Sequence, residues 1–106
     1  MVEFGKRWRE RRSHPRTKIR VPVRYTLAGQ DERIGTIVEV SFEELVIAGP
    51  EVGVRGEEVA VYSERIGRIE GKIARLAEGG FVMKLSLPAH SMEVLMSRLG
   101  VPQGAG

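Results

Sequence analysis

The chain has 106 residues and a net charge of +3, about the size of one domain and too short for two with separate cores. With 42% hydrophobic and 29% charged residues it has a globular composition, which disfavours a disordered or fibrous chain. The lack of cysteine removes disulfides, Cys-ligated metal centres and thiol nucleophiles, and suits a cytoplasmic location. No apolar run approaches the ~20 residues that span a bilayer, so neither secretion nor membrane insertion is expected.

Charge is unevenly spread. Residues 1–24 hold nine basic side chains against two acidic ones, a local net of +7, whereas the remainder holds eight against twelve, a net of −4. Such a cluster marks either a solvated tail or a site for an anionic partner. The expected organisation is a basic N-terminal arm over 1–17, a folded unit over 18–100 and a Pro/Gly-rich, frayed tail over 101–106.

Within the folded unit, 18–27 alternates, with Ile19, Val21, Val23, Tyr25 and Leu27 on one face and charged or polar residues on the other, as a half-buried strand does. Pro22 cannot donate a ladder hydrogen bond and places this strand at an edge or a bulge. After a turn at 28–32, the β-branched run 33–40 is a second, antiparallel strand. A short apolar strand at 45–48 closes on Gly49-Pro50, and 57–62, 67–76 and 81–87 are three more, with a tight turn at Gly79-Gly80 between the last two. Beyond Pro88 the period changes: Met92, Leu95, Met96 and Leu99 form one helical stripe, which is a core-facing helix stopped at Gly100. Six short strands, one terminal helix and no βαβ alternation predict an all-β, six-stranded antiparallel barrel with a short C-terminal α-helix.

Little in the sequence points to catalysis. His14 and His90 have no second imidazole or thiol at ligand spacing, and there is no phosphate-binding glycine loop and no nucleophile elbow. The carboxylate pairs Asp31-Glu32, Glu43-Glu44 and Glu57-Glu58 fall at turns and strand starts, where solvated charge is the simpler account. A non-enzymatic protein without metal or cofactor is expected.

The informative stretch is Glu10-Arg11-Arg12-Ser13-His14-Pro15-Arg16, just before the first strand. An arginine fork grips a phosphate or the O6/N7 edge of guanine bidentately, and its flat face stacks on a base. Arg12 and Arg16, four apart, are suited to clamp one anionic purine ligand, and Pro15 lowers the cost of ordering the loop.

This R-x-x-x-R loop, the alternating strand behind it, and a second strand ending in Glu39-Val40-Ser41-Phe42-Glu43-Glu44 resemble the PilZ domain family, which pairs R-x-x-x-R with D/N-x-S-x-x-G. The likeness runs from about Glu10 to Leu87 and includes Gly71-Lys72-Ile73-Ala74-Arg75 and Gly79-Gly80-Phe81-Val82-Met83-Lys84. The resemblance implies a six-stranded barrel that binds the bacterial second messenger cyclic di-GMP and signals to a protein effector. By the same resemblance Arg11, Arg12 and Arg16 hold guanine and phosphate, Ser41 matches the serine of the second motif, and Glu39 takes the place of Asp or Asn at the guanine edge. Glu44 stands where glycine is usual, beside Glu43. If that glycine serves a positive φ or close ligand approach, Glu44 brings strain, bulk and negative charge. Each carboxylate repels a dianionic ligand by roughly 1 kcal/mol per charge pair at ~4 Å in water.

The expected action is ordering of the N-terminal arm over the ligand, with Trp8 packing on ligand or barrel. The alternative is a PilZ-like adaptor that has lost nucleotide binding and works by protein–protein contact through its C-terminal helix or an exposed strand edge. Nucleic acid is the third and least favoured partner, because Trp8 is the one ring of the arm's charged stretch whereas single-strand binders stack bases on several.

Overall fold

The computed structural model describes residues 16–101. Expectations placed on Trp8, Arg11, Arg12, His14 and Pro15, and on the tail beyond Val101, lie outside the described residues.

The alternation of Val21, Val23, Tyr25 and Leu27 is realised as strand β1 (Thr17–Leu27), which buries those four residues and exposes Lys18, Arg20, Pro22 and Arg24. Five more strands follow: β2 (Arg33–Ser41), β3 (Glu44–Ala48), β4 (Glu58–Ser63), β5 (Gly67–Ala77) and β6 (Gly80–Leu85). All pairings are antiparallel, and the order β1-β2-β3-β6-β5-β4 closes into a barrel. Strand ends shift by one or two residues from the sequence expectation. The largest shift is in β6, which pairs only to Leu85 while Leu87 still packs against the core.

Pro22, expected at an edge or a bulge, lies just beyond a bulge and not on a free edge. It follows a register shift between Lys18 and Val21 in the β1–β2 pairing, and it precedes Arg24, where pairing with β4 begins. Closure leaves β1 flanked by β2 and β4, so the exposed full-length strand edge considered for an adaptor is not present among the described strands. The β2–β3 pairing shifts between Ile37 and Glu39, and in β5 the alternation breaks at a third irregularity, between Ile73 and Arg75, beyond which Arg75 and Leu76 are both exposed.

Inward-facing residues of every strand fill the interior. Tyr25, Ile37, Leu45, Ile47, Val61, Ile73, Phe81 and Met83 are essentially inaccessible, and the Tyr25 and Phe81 rings meet at 5.5 Å in a tilted contact. At this density a change of one methylene is felt. Tyr25 also ties down the loop after β3, its hydroxyl donating to the Glu51 carbonyl at 2.7 Å and accepting from the Glu51 amide at 3.2 Å.

The helix α1 (Ala89–Arg98) follows β6, which ends at the same end of the barrel as the start of β1 and the β2–β3 turn. Met92, Leu95 and Leu99 join the core, with Met96 half-buried at its edge, so the apolar stripe is core packing as expected. The helix ends in a Schellman motif: the Val101 amide donates to the Met96 carbonyl at 2.9 Å and the Gly100 amide to Ser97 at 3.0 Å. No helix among the described residues is long and apolar enough to cross a membrane.

Candidate functional site

The barrel register brings Arg16, the one arginine of the first motif among the described residues, to the second motif. Thr17 pairs with Val40 and Lys18 with Glu39, so Arg16, entering β1, arrives beside the end of β2. Its guanidinium lies 3.6 Å from the Glu39 carboxylate, with the Arg16 side chain 56% exposed and that of Glu39 22%. The arginine therefore presents most of its surface to solvent while an acid orients it. Ser41, the last residue of β2, is the one buried polar residue among those described, at 9% exposure.

Between Ser41 and Glu44 the chain reverses in a very tight turn. The Glu43 amide donates to the Ser41 carbonyl at 2.9 Å, and the Glu43 carbonyl accepts from Leu85 at 2.8 Å, hooking the turn onto β6. Closing so short a reversal forces Glu43 to φ +145°, a region L-residues rarely adopt. Glu44 is different: it has no positive φ and is already the first residue of β3, paired with Ser41 and Lys84. The strain expected at Glu44 thus falls on Glu43, because a turn this tight places its unusual residue immediately before the new strand.

The charge expected at these two acids is also altered. Glu44 receives a two-pronged contact from Arg75, at 3.2 and 3.3 Å, and Glu43 lies 3.9 Å from the Lys84 ammonium. With Arg16 on Glu39, each of the three carboxylates of the second motif has a cation beside it. The cations reduce the local repulsion of an anion, and Arg75 and Lys84 join the site. Both lie in the stretches that carried the family likeness, yet nothing local assigned them a role. Glu44 meets Lys84 only because β3 pairs with β6, and Arg75 arrives from β5, one strand further.

Among the described residues no three His, Asp or Glu side chains are grouped to hold a metal ion. The arrangement is suited to binding by charge and hydrogen bonding: an exposed arginine, a buried hydroxyl, and carboxylates whose cations can exchange partners. No protein-family model matches the chain, and no curated protein matches it. Fold and site define a small closed antiparallel barrel with paired charges at the rim beside its C-terminal helix.

Proposed function

We propose that the chain is a PilZ-type regulatory domain of the bacterial cytoplasm that binds cyclic di-GMP and relays that binding to a protein effector. Arg11, Arg12 and Arg16 hold phosphate and guanine, Glu39 accepts from the guanine N1/N2 edge, and the Ser41 hydroxyl completes the contact. The supporting observation is the convergence of Arg16, Glu39 and Ser41 at one barrel end, with Arg16 exposed and aligned by Glu39. The N-terminal basic segment carries the signal by closing on the ligand, and no chemical step is involved.

Isothermal titration of the full chain with cyclic di-GMP tests this reading. Micromolar or tighter binding abolished by Arg12→Ala plus Arg16→Ala is the expected result. No heat at high ligand concentration refutes it.

A second reading, an adaptor that no longer binds nucleotide, is favoured by one observation: Arg16, Arg75 and Lys84 already have carboxylate partners, so an incoming dianion that uses them must displace those partners. Absence of binding by wild type together with recovery in Glu43→Gly is the result this reading expects. A steep loss of DNA or RNA affinity with salt, without nucleotide binding, would point to nucleic acid instead.

A further inference from the structure

On the outer wall of the barrel, away from Arg16 and Glu39, β1, β4, β5 and β6 frame a cleft of about 600 Å³. Flat sheet surfaces seldom form clefts. This one arises because its floor carries the short side chains of Ala60 and Thr26, paired across β1 and β4, while long charged side chains stand around them. Lys72 and Lys84 lie directly opposite each other on β5 and β6, and Glu58 is opposite Lys72 on the other side. Arg68 and Glu70, bonded to each other at 3.0 Å, close the neighbouring wall.

Two like charges held directly across a strand pair are unfavourable, and an anion between them reverses the sign of that term. The Lys72 side chain makes no ion pair or hydrogen bond among the described residues, and the Lys84 side chain has only the long 3.9 Å contact to Glu43. Ser86 also lines the cleft, and its hydroxyl is a further potential donor. The carboxylates of Glu58 and Glu70 accept hydrogen bonds, so the remainder of the ligand must donate them. No aromatic ring lines the cleft among the described residues, so it has no platform on which a nucleobase stacks.

We propose that this cleft binds a phosphorylated polyol of the sugar-phosphate class, its phosphate between Lys72 and Lys84 and its hydroxyls on Glu58 and Glu70. The volume is within the range of small-molecule sites. The cleft shares Lys84 with the rim site through its contact to Glu43, but Lys72, Glu58 and Glu70 belong to the cleft alone, so variants at these positions separate this assignment from the cyclic di-GMP reading.

The test is an amide-resolved NMR titration of the full chain with glucose 6-phosphate, with inorganic phosphate and glucose as separate probes. Saturable shifts at Lys72, Lys84 and Ser86 are expected, with glucose 6-phosphate binding at least about tenfold tighter than phosphate, equivalent to about 1.4 kcal/mol. Lys72→Glu, on an exposed strand position, should keep a dispersed spectrum and weaken glucose 6-phosphate by about tenfold or more. Glu58→Gln removes a carboxylate that accepts from the sugar hydroxyls and also removes its repulsion of the phosphate beside Lys72, so it should narrow the preference for glucose 6-phosphate over phosphate. Equal affinity for phosphate and glucose 6-phosphate, shifts centred on Arg16 and Ser41, indifference to Lys72→Glu, or no saturation each overturns the proposal.

Discussion

Replacing Glu43 by glycine should stabilise the protein, although it removes an ion pair. At φ +145° the glutamate holds a conformation that costs an L-residue roughly 1–3 kcal/mol and costs glycine little. Against this, glycine adds unfolded-chain entropy worth about 0.5–1 kcal/mol. The Glu43–Lys84 pair, 3.9 Å long with side chains 56% and 60% exposed, contributes at most a few tenths of a kcal/mol on the scale of exposed pairs. From the middle of these ranges the net is about 1 kcal/mol of stabilisation, a rise in melting temperature of roughly 4 °C or more for a domain of this size. The matched control is Glu44→Gly. There the backbone is ordinary strand, so glycine costs about 0.5–1 kcal/mol, and loss of the two-pronged Arg75 contact adds up to about 1 kcal/mol more. Urea denaturation of both variants, with thermal melts, reads the two signs. An unchanged or lowered stability for Glu43→Gly, or a gain for Glu44→Gly, would refute the placement of strain on Glu43.

Other expectations follow from packing and from the rim charges. Gly80→Ala should be poorly tolerated: a Cβ there would press on the Ile47 carbonyl of the neighbouring strand, and such overpacking costs typically about 1–3 kcal/mol or more, read by urea denaturation. Tyr25→Phe keeps the ring against Phe81 but strips both hydrogen bonds to Glu51, which should cost about 1–2 kcal/mol in the same assay. Met92→Ala, removing a fully buried side chain where α1 meets the barrel, should cost about 2–5 kcal/mol; a value under ~1 would mean that the helix packs loosely. In titrations with cyclic di-GMP, Glu43→Gly should bind more tightly than wild type, since it removes both bulk and a negative charge; equal affinity would show that Glu43 does not oppose the ligand.

The strands were legible because one face of each is buried, and a period of two in β1 records that directly, whereas in β6 the alternation of Phe81, Met83 and Leu85 with Val82 and Lys84 is only partly kept, because Val82 is buried too. Irregular pairings were less so. The alternation of β5 fails after Ile73, where a register shift turns Arg75 outward toward Glu44, and a shift of this kind depends on the partner strand. The same limit applied to Glu43 and Glu44. Composition marked a glycine-poor turn, but which of two adjacent glutamates takes the positive φ is decided by where β3 begins pairing.

By itself the sequence determined the strand order along the chain, the inward residues, the core-facing helix stripe and the basic segment ahead of the first strand, because these depend on local period and composition. Only the tertiary structure decided that the motif carboxylates are met by Arg16, Arg75 and Lys84, and that Lys72 and Lys84 face each other over a cleft. Those contacts join strands distant in the chain, and closing the barrel fixes the register that aligns them.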